Sequence, residues 1–223
     1  MYTIPAIIPK NLEDLENKLS YVGDSVPYVQ IDICDGRLTP VGSWPYFSDR
    51  EKVFDKILGQ EQGMPSWDVF DFEIDLMVLN PMDEYEKWLQ AGASRIVIHH
   101  KTLQPPEKNI FALIRERGVE VGMAFHVGDP LSWIEDLVDE IDFVQFMGIK
   151  RIGFQGEPFD HSVLENIKAI KAKFPDLVVS VDGGVNFDTA PLIAEAGADR
   201  VVVGSALFNH GDIRGAVDYF ESL

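Results

Sequence analysis

The chain has 223 residues, 46% of them hydrophobic and 11% aromatic, which suits one ordered barrel-sized domain and excludes a disordered or fibrous chain. Thirty-seven acidic residues against 19 basic ones give a formal charge of −18, a field that repels nucleic-acid phosphates and anionic membranes and argues against both as partners. One cysteine, Cys34, leaves no intrachain disulfide, no basic leader with an apolar core opens the sequence, and no run approaches the roughly 18 apolar residues of a membrane span; a cytoplasmic protein is expected.

Short runs rich in Val, Ile and Phe alternate along the chain with segments of helical period. Residues 3–8 read as a strand and 11–21 as a helix; a second strand follows at 28–33 and a second helix at 49–58. The connection between them carries Trp44, Pro45, Tyr46, Phe47, Gly63 and Pro65, and reads either as a cover for one end of the fold or as an ordinary excursion. The pattern then repeats: strands at 69–78, 95–99, 120–125, 141–146, 178–181 and 200–203, helices at 83–91, 107–117, 131–138, 162–173, 189–196 and 212–220. Asn80-Pro81 and Asp129-Pro130 mark helix starts, and the two Ala-Gly-Ala turns, at 91–93 and 196–198, mark helix ends. Eight strands in strict alternation with eight helices predict a single (β/α)₈ TIM barrel over residues 1–223.

In such a barrel the site lies at the carboxyl ends of the strands. Gln30 and Asp32 share one face of the second strand, Glu73 and Asp75 one face of the third, His99 ends the fourth and Asp182 ends the seventh. Asp32 and Asp182 stand where a hydrophobe would otherwise be, so burial is expected to raise their pKa values. Two carboxylates in different surroundings suit removal of a proton from one face of a substrate and return of one to the other. The alternative is that each merely caps the turn that follows, as Asp does before Gly36 and Gly183. Gly183-Gly184 after the seventh strand, Gly204-Ser205 after the eighth, and the Gly153-Phe154-Gln155-Gly156 segment after the sixth stand where barrels grip phosphate through backbone N–H groups; the alternative is ordinary tight turns.

Asp32-Ile33-Cys34-Asp35-Gly36 with Pro40, Asp75-Leu76-Met77 with Asn80-Pro81, Gly153-Phe154 with Phe159, Val181-Asp182-Gly183-Gly184-Val185-Asn186, and Gly197-Ala198-Asp199 leading to Gly204-Ser205-Ala206-Leu207-Phe208 carry a further signal. Over nearly the whole chain this sequence resembles the ribulose-phosphate 3-epimerase family. The resemblance implies reversible epimerisation of a ketopentose phosphate, or a related ketose phosphate, through an enediolate. It assigns Asp32 and Asp182 as acid and base, a divalent metal as cofactor, Met77 and Met147 as site-lining residues, and Gly183, Gly184, Gly204 and Ser205 as phosphate loops.

The departures fall at the metal end. The family has histidine where this chain has Gln30, and His-Leu-Met where it has Asp75-Leu76-Met77; the serine ending the family's first strand corresponds to Pro9, and a methionine to Cys34. An oxygen-rich set of Asp32, Asp75 and Asp182, joined by Gln30, favours Mg²⁺ or Mn²⁺ over Zn²⁺ if a metal is held. His99 and His126 are candidate substitute ligands or acids, or else hydrogen-bonded residues of the barrel rim; His100 is expected to point outward, and Cys34 to line the pocket as a small hydrophobe. The expected partner is a small phosphorylated sugar, with homo-oligomerisation left open. Two other functions compete: a lyase or decarboxylase acting on a phosphate ester, and a phosphosugar-binding barrel without turnover.

Overall fold

The computed structural model describes residues 1–46, 50–103, 109–154 and 156–223. Eight parallel strands close into a barrel in sequence order: β1 (Tyr2–Ile7), β2 (Tyr28–Cys34), β3 (Asp71–Met77), β4 (Ala93–His99), β5 (Glu120–Phe125), β6 (Phe143–Met147), β7 (Val178–Asp182) and β8 (Arg200–Val203). Helices α1 (Leu12–Val22), α2 (Arg50–Leu58), α3 (Tyr85–Gln90), α4 (Asn109–Arg115), α5 (Ser132–Leu137), α6 (Ser162–Lys173), α7 (Ala190–Ala196), α8 (Ser205–Phe208) and α9 (Ile213–Glu221) follow in turn. The expected (β/α)₈ architecture is therefore present. Among the described residues, no helix is long and apolar enough to cross a membrane.

The strands are buried on both faces, and their alternation sorts the chain into two cores. Outward-facing Val29, Ile31 and Ile33 of β2 join the large shell between barrel and helices. The inward positions build a smaller cluster of Cys34, Met77, Val97, Ala124, Phe143, Met147 and Ile152. Helix α1 buries Leu15, Leu19 and Val22 on one face, and its N-cap Asn11 accepts a 2.8 Å bond from the Asp14 N–H, satisfying one of the free donors of the first turn. Helix α9 repeats the device with Ile213, Ala216, Val217 and Phe220 inward and Asp212 as its cap.

Most differences from the sequence expectation are at element ends. The third strand was expected from residue 69, but Ser66 O takes the N–H groups of Val69 and Phe70, each at 3.0 Å, and holds them in a turn until Asp71. The sixth strand likewise begins at Phe143 rather than 141, with Asp142 tied to Val121 through both backbone and side chain. A 3₁₀ turn, Pro81–Asp83, precedes α3, and α8 is an additional four-residue helix directly after Gly204. Phe47 and the expected starts of α2 and α4, at Asp49 and Glu107, lie outside the described residues.

The long second connection divides its roles. Trp44 turns into the outer shell, edge-on to Phe54 (5.4 Å between centroids) and to Trp88 (6.2 Å). Leu38 packs on the inner cluster, and Thr39 is buried against Gly153. Buried Ser43 clamps the start of this segment, its Oγ accepting from Cys34 N at 2.9 Å and donating to Asp32 O at 2.8 Å.

Candidate active site

Strand register builds the centre. Parallel pairing sets Gln30 beside Glu73 and Asp32 beside Asp75, and on the far side Met147 beside Asp182. Because β2, β3 and β7 curve around one interior, oxygens of Asp32, Asp75 and Asp182 all come within 4.8 Å of one another. Gln30 bridges two of them: its Nε2 donates to Asp32 Oδ1 at 2.7 Å and to Asp182 Oδ2 at 3.3 Å. Asp32 and Asp182 are thus not simple turn caps, since their carboxylates face the barrel interior.

Like charges packed this closely in a dry interior disfavour ionisation. Burial, reinforced by the charges of Asp182 and Asp75, pushes Asp32 well above the usual carboxylate range. Burial and Asp75 push Asp182 up to about 7. One layer lower, burial raises Glu73 to about 7 against the opposing pull of Arg95, whose Nη1 lies 3.6 Å away. Burial also pushes the Cys34 thiol upward, so it stays protonated and inert; it packs in the inner cluster with Met77 and Met147 and, against expectation, is not among the residues that line the cavity.

Asp75 is held from two more sides. His99 Nε2 lies 2.6 Å from Asp75 Oδ1, and Gln145 Nε2 donates to Asp75 Oδ2 at 3.0 Å. His99 in turn meets His126 through Nδ1···Nε2 at 2.8 Å. His99 is fully buried rather than at the rim, and both of its ring nitrogens are engaged. Gln145 was missed from the sequence, although it interrupts the apolar run of β6 two residues before Met147, as Asp32 interrupts β2. His100 points outward, stacked on Phe125 with 5.4 Å between ring centroids.

Above the carboxylates opens a cavity. Asp32, Asp182, Met77 and Met147 line it together with Gly153, Phe154, Gly156, Gly183, Gly184, Gly204 and Ser205. All three glycine segments therefore share one cavity with two of the aspartates; Gln155 lies outside the described residues. From β1 and the residue after it the lining residues are Ala6 and Ile8, not Pro9. Among the described residues the lining has no Lys or Arg, so backbone N–H groups are its donors for an anion. Gly183 and Gly184 both adopt positive φ, 93° and 70°, and a Cβ on Gly184 would stand 2.8 Å from the Phe159 Cα. That backbone shape is open only to glycine.

The donor chemistry of the aspartate cluster fits a divalent cation. The crowding that raises Asp32 and Asp182 is relieved by a double positive charge, and oxygen ligands suit a hard ion. Gln30 Oε1 is buried without a hydrogen-bond partner, and turning the amide over would offer this neutral oxygen to a cation in place of the two bonds that Nε2 donates. His99 lies behind Asp75 rather than in the cluster.

A closed parallel barrel, a carboxylate centre inside it and glycine loops around one cavity at the carboxyl strand ends define a (β/α)₈ enzyme scaffold. Comparison with known proteins narrows the class. The profile of the Ribulose-phosphate 3 epimerase family matches residues 4–208, and the chain belongs to that family. It is 31% identical over 226 residues to ribulose-phosphate 3-epimerase of Bacillus subtilis, covering 96% of this chain and 94% of that one. It is 26% identical over 221 residues to the protein of the same name from Eremothecium gossypii, covering 97% and 90%. Among solved structures, 3-hexulose-6-phosphate synthase from Salmonella typhimurium superposes with a TM-score of 0.71 at 18% identity, over 100% of this chain and 97% of that one, a likeness of fold.

Proposed function

We propose that the chain is a ribulose-phosphate 3-epimerase-like isomerase that interconverts ketopentose phosphate epimers by proton transfer at C3. The observation that carries this reading is the shared cavity: Asp32 and Asp182 line the same space as three glycine segments. A sugar phosphate anchored at Gly183, Gly184, Gly204 and Ser205, beside Gly153, Phe154 and Gly156, would extend its carbon chain toward the carboxylates. One aspartate takes the C3 proton as a general base, leaving an enediolate, and the other returns a proton to the opposite face. A carboxyl raised to about 7, as at Asp182, is poised to hold a proton or release it near neutral pH. Met77 and Met147 form an apolar wall that keeps water from the carbanionic carbon.

Asp32, Asp75 and Asp182 are the residues that would hold a divalent cation, Mg²⁺ or Mn²⁺ by their all-oxygen chemistry, with Gln30 able to join them. When bound, such an ion supplies Lewis-acid stabilisation of negative charge on the substrate's oxygens. A purely binding barrel has no use for three mutually repelling buried carboxylates, which cost stability. The single cysteine, buried and unpaired, supports a cytoplasmic place of work.

The reading is tested by NMR of D-ribulose 5-phosphate with the protein in D₂O, in Mg²⁺, in Mn²⁺ and in chelator, with samples quenched before measurement. Deuterium at C3 and formation of xylulose 5-phosphate are expected with metal, and loss of both in chelator. Absence of exchange under every metal condition overturns the proposed substrate.

A further inference from the structure

Asp75 stands out among the three aspartates because its surroundings are the most complete. Both of its carboxylate oxygens have side-chain partners: His99 Nε2 stands 2.6 Å from Oδ1, and Gln145 Nε2 donates to Oδ2. Neither of those partners lies in the cavity lining; they stand behind the carboxylate, on β4 and β6. Behind His99 comes His126, its ring edge-on to His99 at 88° with 5.1 Å between centroids. His126 is itself fixed by its own turn, where its backbone N–H donates to Asp129 Oδ2 at 2.8 Å.

With no proton on Asp75, counting along this row leaves one consistent arrangement of neutral rings. A carboxylate oxygen 2.6 Å from His99 Nε2 requires a proton between them, since two facing lone pairs repel. With the proton on Nε2, a neutral His99 has a bare Nδ1, which must accept, and the partner at 2.8 Å is His126 Nε2. His126 therefore carries its proton on Nε2. Burial and the neighbouring His99 push His126 down to about 3, in keeping with a neutral ring at pH 7.

From this geometry we infer that His99, locked in its Nε2–H tautomer by His126, is a positioning residue that holds the Asp75 carboxylate in its rotamer for cation binding. Histidine commonly lies between a metal and a carboxylate; here the order is reversed, with the carboxylate toward the centre and the imidazole behind it. The inference rests on the proposed reading of the aspartate cluster as a cation site. It names no new ligand; it assigns to residues behind the cavity lining the task of presenting one.

The test has two arms. In the unmodified protein at pH 7, two-dimensional ¹⁵N–¹H spectra of the imidazoles report where each proton sits. Both His99 and His126 are expected as neutral Nε2–H tautomers. A His99 protonated on Nδ1 alone, or on both nitrogens, overturns the inference. In the second arm, Mn²⁺ binding is followed by electron paramagnetic resonance for the parent, His99→Leu and His99→Gln. Leucine removes the donor and is expected to weaken Mn²⁺ binding about 10- to 100-fold. Glutamine keeps a donor near the Nε2 position and is expected to restore most of that loss, with KM for the sugar phosphate unchanged in both variants. Equal Mn²⁺ affinity for parent and His99→Leu overturns the role of His99 alone. A parent that binds no Mn²⁺ overturns the cation site itself, and a parent that binds Mn²⁺ without C3 exchange overturns only the proposed reaction. Should His99→Leu fail to fold, the tautomers of the parent and His99→Gln still decide.

Discussion

Replacing Asp182 by Asn should make the cation-free protein more stable at alkaline pH while removing its activity. Unfolded, this carboxyl ionises near 3.8; in the folded barrel, burial and Asp75 move it to about 7. Between those values the unfolded chain has released a proton that the folded chain still holds. Stability is therefore full below the lower value and falls as pH rises, levelling off once the folded carboxyl has ionised. At 1.36 kcal/mol per pH unit the loss is about 2 kcal/mol at pH 5.5 and about 4 kcal/mol at pH 8. Asparagine stands in for the neutral carboxyl and escapes this loss. Because Asp32 shares the repulsion, the measured gain should fall between half and all of these figures. For a chain of this size the gain at pH 8 corresponds to roughly 4–16 °C in melting temperature. Thermal unfolding in chelator at both pH values reads it directly, and pH 5.5 keeps clear of the isoelectric point near 4.5. A gain of the same size at both pH values, or a less stable variant at pH 8, would refute the electrostatic reasoning.

Gly184→Ala should raise KM for the sugar phosphate at least about tenfold and cost about 1–3 kcal/mol, because a Cβ at positive φ meets the Phe159 backbone; steady-state kinetics and a denaturant melt measure both. Trp88→Ala should cost about 3–5 kcal/mol by opening a cavity beneath Trp44 and Phe54, 6.2 and 4.8 Å from it by ring centroids, yet leave kcat within a few-fold at temperatures where the variant is folded. A large kcat loss in folded Trp88→Ala would mean that the outer shell, and not only the barrel interior, tunes the site.

The barrel was legible because its code is local. Eight apolar runs with intervening helical period are visible without knowing which strand neighbours which, and Asp32 and Asp182 are conspicuous as charges inside such runs. The glycine segments were legible for the same reason, by their position after the sixth, seventh and eighth strands. What the sequence left open needs the closed sheet. Asp75 and His99 lie on consecutive strands and His126 directly follows the next, 24 and 27 residues apart, and only the register of β3, β4 and β5 brings their ring and carboxylate atoms into line. Gln145 joins Asp75 across 70 residues of chain. The helix Ser205–Phe208 is too short to show a period, and Pro9 looked site-facing, whereas Ala6 and Ile8 line the cavity instead.

The two-aspartate mechanism is tested most directly by isotope exchange in the single variants Asp32→Asn and Asp182→Asn. Each is incubated in D₂O with ribulose 5-phosphate and, separately, with xylulose 5-phosphate. Neither variant should interconvert the epimers, and each should retain deuterium exchange at C3 of only one, the two variants keeping opposite ones. Retained epimerisation by either variant, or exchange confined to the same epimer in both, would contradict proton transfer between Asp32 and Asp182.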